Sequence, residues 1–337
     1  MCEFDSTILS ASAAPAGGDK SRADAPPRVR PVKGEIGFIG LGRMGTAMAA
    51  NLTAAGRPVI AYVRRENQVA RLKELGLKPT TDFGDLLDCE LVISMLPDDD
   101  AVRHVVFGSK EDHSGGLADG LMQGAIHLSM STISTACAAE LTAAHAEAGQ
   151  GYVAAPVFGN PEAARTRQLF VVAAGAPGDL VRCQPIFDCL GQRTFAVGEN
   201  PQEANLIKLL GNMMTATAIE MIAESVAVIR KRGLDPQPFI DIMTSTMFGG
   251  RTHRIYGEKV VRRTYAAGFI LPLVLKDVRL ALAEAEKAST PMPSVGVVRD
   301  RLITAIARGY DGLDWTVLGK VAAEEAGLAD PSETDIE

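Results

Sequence analysis

Residues 36–52 read IGFIGLGRMGTAMAANL, and no other stretch of the 337-residue chain restricts its fold as tightly. Gly40, Gly42 and Gly45 form a GxGxxG pattern between an apolar, β-like run and a helical one. Alone such a pattern is weak. In this context it joins a buried strand to a helix that can hold a dinucleotide. Gly40 permits the tight turn, Gly42 lets a pyrophosphate approach the backbone, and Gly45 lets helix and strand pack closely. The helix N-terminus favours the anion. The intervening Leu41, Arg43 and Met44 are therefore expected to border the same ligand.

The residues that follow repeat the theme. Short apolar runs at 36–40, 58–63, 91–96, 125–130, 152–156, 169–175 and 194–198 alternate with helical stretches such as 133–149. These runs are continuous rather than in–out alternating, as in strands buried on both faces. The alternation predicts an α/β fold with a Rossmann-like, doubly wound parallel sheet. After Gly198 the texture changes. Asn200 suits an N-cap, Pro201 the first helical position and Glu203 a capping box, while Gly233 suits a C-terminal stop. A helix of roughly 30 residues, about 45 Å long, is expected between them. Helical patterns follow at 236–246, 273–289, 294–308 and 314–326. The expected organisation is a disordered extension (1–34), a nucleotide-binding domain (35–198), an all-helical domain for substrate and dimerisation (199–327) entered by the long helix, and an acidic tail (328–337).

Composition excludes several classes. Hydrophobic content of 47% and charged content of 22% describe a globular chain, and the net charge of −7 leaves no basic surface for nucleic acid. Five cysteines without a CxxC pair, and five scattered histidines, predict no disulfide framework and no metal site. No apolar run of about 18 uncharged residues is present, so no membrane span is expected. A cytoplasmic location is expected. Residues 1–34 leave room for an organelle address, although Glu3, Asp5, Asp19 and Asp24 are wrong for a transit peptide.

The second apolar run ends AYVRRENQ. NAD-binding chains place an acid near this point for the ribose 2′-hydroxyl. Here Arg64 and Arg65 stand there instead, and guanidinium groups suit a 2′-phosphate. NADPH is therefore expected in preference to NADH.

The most anomalous polar residues lie in NLIKLLGNMM, residues 205–214. Lys208 and Asn212 are four apart, hence one turn apart on one helix face. No acid occurs between Glu203 and Glu220 to pair with the lysine. Either Lys208 snorkels to solvent, or it is a desolvated ammonium of lowered pKa, able to give and take a proton.

Several motifs in order resemble the β-hydroxyacid dehydrogenases, relatives of 3-hydroxyisobutyrate dehydrogenase and of the glyoxylate/succinic semialdehyde reductases. They are the glycine-rich run, MLP at 95–97, SMSTIS at 129–134, APVFGNPEAA at 155–164, KLLGN at 208–212 and FILPLVLKDVRLAL at 269–282. The resemblance spans roughly residues 35–326. It implies that Leu96, Pro97, Thr132 and Lys276 border the cofactor. It implies that Ser131, Asp277 and the loop around Phe158, Gly159 and Asn160 meet the substrate. It also implies that Lys208 is the proton donor, with Asn212 as its partner. Ser129 and Ala154 stand where the family carries acids, Phe158 where it carries serine, and Asn160 where it carries glycine. The loop's backbone N–H groups are left to hold a substrate carboxylate, and Phe158 narrows or greases the pocket.

The expected activity is hydride transfer from NADPH to a small aldehyde or keto acid. Imine reductases share the plan but typically lack the lysine. A non-catalytic scaffold relative would also have lost it. 6-Phosphogluconate dehydrogenase shares the plan in a longer chain. A homodimer wrapped around the long apolar helix is implied as well.

Overall fold

The computed structural model describes residues 32–108 and 115–328. All of them lie in one compact unit, Pro31–Glu337. Residues 1–31 of the expected extension (1–34), and the acidic tail from residue 329, fall outside the described residues, while Val32 is buried because its side chain packs with the sheet-side core residues.

The strands β1 (Ile36–Ile39), β2 (Val59–Tyr62), β3 (Lys78–Thr80), β4 (Leu91–Ser94), β5 (Ile126–Ser129) and β6 (Gly151–Ala154) pair in parallel in the order β3-β2-β1-β4-β5-β6. The β1, β4 and β5 residues are buried on both faces, which is why their sequences are unbroken apolar runs. The expected parallel sheet is extended by one antiparallel return. Past Pro156 the chain continues as β7 (Val157–Phe158), which pairs antiparallel with β8 (Leu169–Ala174). Ala154 of β6 meets Ala174 of β8 in the same sense. The link from β7 to β8 contains only the short helix α6 (Pro161–Arg165). A parallel crossover needs about a dozen residues or more, so the chain returns antiparallel. β9 (Gly191–Gly198) then pairs in parallel with β8.

Helices cover both faces. Met48 and Leu52 of α1 (Arg43–Ala54), with Ile186 and Phe187 of α7 (Pro177–Leu190), pack on Phe38, Ile93 and Leu128. Val102 and Val106 of α3 (Asp99–Phe107), with Leu141 of α5 (Thr135–Glu147), pack on Ile39 and Val92. The smaller helices α2 (Val69–Glu74) and α4 (Leu117–Gly120) complete these layers.

The helix α8 (Pro201–Lys231) belongs to two cores. Ala204 joins the sheet-side core, while Leu209, Met213 and Ile219 join a helical core with Val274, Leu302 and Trp315. Its start follows the sequence reading: Asn200 Oδ1 accepts the Gln202 N–H at 3.1 Å, and Pro201 follows. Its end follows too, with Gly233 in the left-handed region at φ +74°. By length and composition α8 passes for a membrane span. Lys208 and Glu220, both buried here, interrupt its apolar run, and Leu209 and Met213 are spent on the protein's own core. The helices α9 (Gln237–Ser245), α10 (Arg251–Val261), α11 (Leu271–Lys287), α12 (Pro293–Ala307) and α13 (Leu318–Glu325) complete the helical part. Sequence reading misses β3, β7 and α10. The first two are too short for a period, and α10 mixes charged residues and a glycine among its apolar ones.

Candidate active site

A cleft of about 2460 Å³ runs along the C-terminal ends of β1, β4 and β5 and is walled on the other side by α8, α10 and α11. Ligands of open α/β sheets bind at such strand ends. The volume exceeds the roughly 300–1,000 Å³ that a single small molecule needs, and leaves room for a dinucleotide with a substrate.

At one end the glycine-rich turn has the properties its sequence predicts. Gly40 adopts φ +94°, and a Cβ there would come within 2.3 Å of the Met95 carbonyl oxygen. A Cβ on Gly45 would lie 2.0 Å from the Gly40 carbonyl oxygen. Glycine is therefore the only residue that fits either position. A Cβ on Gly42, by contrast, would meet nothing within 4 Å. Gly42 caps α1 without a side-chain hydrogen bond, and the first turn of α1 carries no acid. The cradle is thus open where a pyrophosphate would approach a helix N-terminus. Leu41, Met44, Arg64, Arg65, Leu96, Pro97 and Thr132 line the same cleft. Arg43 reaches across it and donates to the Ala267 carbonyl. Ser131 follows β5, one residue before Thr132. It is buried outside the cleft lining, and its hydroxyl accepts the Leu96 N–H at 2.8 Å. Through this bond it braces the loop that begins at Leu96.

At the other end the lysine finds its partners. Lys208 is 8% exposed, and its Nζ donates to Asn212 Oδ1 at 2.8 Å. Asn212 Nδ2 donates to Asp277 Oδ2 at 2.6 Å. A carboxylate can only accept, so Asp277 fixes the amide with its oxygen turned to the lysine. Lys276 Nζ stands 3.0 Å from Asp277 Oδ1 and donates to the Thr132 carbonyl. The charge that local sequence denies Lys208 therefore comes from α11. Burial pulls the Lys208 ammonium down to about 8, with Asp277 opposing the fall and Lys276 adding to it. The ring of Phe158 lies over this ammonium, 4.4 Å from Nζ to the ring centroid. Gly159 lines the cleft beside it at φ +141°. The Asn160 side chain is partly committed, since its Oδ1 caps α6 by accepting the Ala163 N–H at 2.9 Å. That bond uses the amide oxygen, and leaves the Asn160 backbone and Nδ2 to meet a ligand.

The helical wall escapes sequence reading. Thr215, Tyr256, Phe269, Leu273 and Trp315 line it. Trp315 makes edge-on contacts at 5.2 Å with both Tyr256 and Phe269. The one signal is the lone tryptophan, but its neighbours come from distant segments and no spacing rule connects them.

Residues 35–198 match the family model described as the NAD-binding domain of 6-phosphogluconate dehydrogenase. Residues 203–322 match the model described as NAD-binding of NADP-dependent 3-hydroxyisobutyrate dehydrogenase. The chain is 37% identical to the uncharacterized oxidoreductase YfjR of Bacillus subtilis over 288 residues, covering 85% of this chain and 99% of that one. It is 30% identical to glyoxylate/succinic semialdehyde reductase 1 of Arabidopsis thaliana over 290 residues, covering 84% and 96%. The crystal structure of 3-hydroxyisobutyrate dehydrogenase from Salmonella typhimurium shares the fold, with a TM-score of 0.76 at 21% identity, covering 85% and 99%. The chain belongs to the β-hydroxyacid dehydrogenase family. It is an NAD(P)-dependent oxidoreductase of the class that acts on CH–OH groups.

Proposed function

We propose that this enzyme uses NADPH to reduce a small aldehyde or keto acid to its hydroxy acid, with Lys208 delivering the proton. The observation that carries the reading is the Lys208–Asn212–Asp277 chain at the wall of a cleft whose other end is a glycine-rich cradle. A bound reduced nicotinamide supplies hydride; the residues of the chain do the rest. Negative charge developing on the carbonyl oxygen needs a positioned donor, and Lys208 offers both charge and proton. Asn212 holds the ammonium in line, and Asp277 holds Asn212. An ammonium brought down to about 8 is charged at neutral pH yet gives up its proton readily. Gly159 and Asn160 offer backbone N–H groups to a substrate carboxylate. Imine reduction is the rival chemistry, and Lys208 ranks it second. One cyclic imine assayed beside glyoxylate and succinic semialdehyde separates the two.

Arg64 and Arg65 support the choice of NADPH, being exposed at the end of β2 on the cleft wall. Replacing both by alanine is expected to lower the NADPH-over-NADH ratio of kcat/KM by roughly 10- to 100-fold, the worth of one or two charge-assisted contacts. A ratio that moves less than twofold would contradict this assignment. The same reading includes a homodimer. Ile207, Leu210, Met214, Met221 and Val228 are exposed along one stripe of α8 at heptad spacing, the pattern of a helix awaiting a partner helix. A monomer by light scattering at micromolar concentration would contradict it. Cys89, Cys137, Cys183 and Cys189 are unpaired, which supports a cytoplasmic, reducing location.

A further inference from the structure

Phe158 is not explained by proton delivery. It ends β7 inside the cleft, with its face toward the Lys208 ammonium. Its outer edge rests on Gly211 of α8, where a Cβ would come within 2.3 Å of ring Cζ and 2.5 Å of Cε1. Glycine at 211 therefore makes the seat for this ring, between Lys208 and Asn212 on the helix that carries both. The negative face of the ring attracts the ammonium, so the ring is held in place in the protonated enzyme that donates.

We propose that Phe158 decides which carbonyl compounds the site accepts. The ring roofs Lys208, so the substituent flanking the reacting carbonyl lies against carbon. The substrate class is then short aldehydes or keto acids carrying an alkyl or aryl group at that place, in preference to those carrying a hydroxyl or a second carboxylate. This inference rests on the reductase reading above. A hydroxyl placed against the ring face gives up water and gains no equivalent partner. A carboxylate there meets the negative face of the ring. A methyl group loses nothing. Leu273, Phe269 and Trp315 add apolar surface to the lining of the same cleft.

The test compares an isosteric pair, 2-methyl-3-oxopropanoate and 2-hydroxy-3-oxopropanoate, which differ by methyl against hydroxyl. With NADPH the wild-type enzyme is expected to favour the methyl compound in kcat/KM by at least tenfold, roughly the 10- to 100-fold range of such pocket discrimination. Phe158→Ser should collapse the preference. Gly211→Ala should do the same without altering Phe158, because the new Cβ occupies the ring's seat. Phe158→Leu, which keeps an apolar roof, should retain it. A readout without turnover is available because Trp315 is the only tryptophan and lines the cleft. Its fluorescence should report tighter binding of isobutyrate than of malonate to the NADP⁺ complex, and Phe158→Ser should erase that difference. An active wild type whose preference is unmoved by both Phe158→Ser and Gly211→Ala would overturn the assignment of Phe158 alone. A wild type inactive on aldehydes and keto acids altogether would overturn the reductase reading, and this inference with it.

Discussion

Two buried chains of hydrogen bonds invite comparison. One is Lys208–Asn212–Asp277 in the cleft wall. The other lies inside the sheet domain, where Ser94 Oγ meets His127 Nε2 at 2.8 Å, His127 Nδ1 meets His145 Nε2 at 2.9 Å, and His145 Nδ1 meets Gln150 Oε1 at 2.6 Å. Both hold basic groups whose proton affinity burial lowers. By perturbation alone either would qualify as a functional site. They differ in access. Lys208, Asn212 and Asp277 all line the cleft, and no member of the histidine chain does.

The polarity of the histidine chain can be worked out. Gln150 Nε2 donates to the Leu121 carbonyl at 2.8 Å, so Gln150 Oε1 accepts from His145 Nδ1. His145 Nε2 then accepts from His127 Nδ1–H, and His127 Nε2 accepts from the Ser94 hydroxyl. Every bond is satisfied with both rings neutral, and a proton added to His145 Nε2 would face another N–H. The comparison teaches that burial and shifted affinity mark either a reaction centre or a fixed strut, and that an open path to solvent or ligand separates them.

The largest effect expected from breaking this comparison is at Lys208. Lys208→Met should lower kcat for reduction by about 10²–10⁴-fold, the range typical of removing a general acid. Its Kd for NADPH should stay close to that of the wild type. Its Tm should change little, because the loss of a desolvated ammonium beside Phe158 is set against an Asn212 Oδ1 left without its donor. Near wild-type kcat in this variant would make the lysine a strut like the histidines.

A smaller effect is expected at Asp277. Asp277→Asn frees the Asn212 amide to turn and removes the charge that raises the affinity of Lys208. Turnover should fall by roughly one to two orders of magnitude, as for a lost charged hydrogen bond, and the alkaline limb of the pH–rate profile should move to lower pH. A limb that moves upward would contradict the electrostatic role.

The smallest effect on rate, and a clear effect on stability, is expected in the histidine chain. Gln150→Leu should lower stability by about 1–3 kcal/mol by orphaning His145 Nδ1, while kcat changes little. The pH dependence follows from the same burial. Both imidazoles have folded-state affinities below the ordinary value of about 6.5, His127 well below it. The unfolded chain therefore takes up protons first as pH falls. Stability is fully present above about 6.5 and declines below it. Urea unfolding at pH 8 and pH 5 measures this; equal midpoints would contradict buried neutral histidines.

Sequence makes the two chains unequally legible. Lys208 and Asn212 share a helix, so a spacing of four residues is enough to put them on one face. Their carboxylate lies on α11, and only the resemblance to a family points to it. The histidine chain links β4, β5, α5 and the turn after α5, with no local spacing to announce it. The glycine cradle is legible because its constraint is local: a positive φ and two close backbone approaches within six residues. The antiparallel return at β8 is not, since it depends on the length of a link whose helix has five residues. The seat of Phe158 on Gly211 joins β7 to α8 across the fold, and no periodicity encodes such a contact. The Ser131 hydroxyl accepts the Leu96 N–H, a contact between two strand-end loops that no local spacing announces.

The pH profile of kcat for carbonyl reduction by the wild-type enzyme at saturating NADPH tests the account most directly. Lys208 must carry its proton to act, and its affinity is lowered to about 8. The rate should be level at neutral pH and fall tenfold per unit above that value, with Lys208→Met showing no such limb. A wild-type rate that stays level to about pH 10, the range of an ordinary lysine, would contradict a desolvated Lys208 as the proton donor.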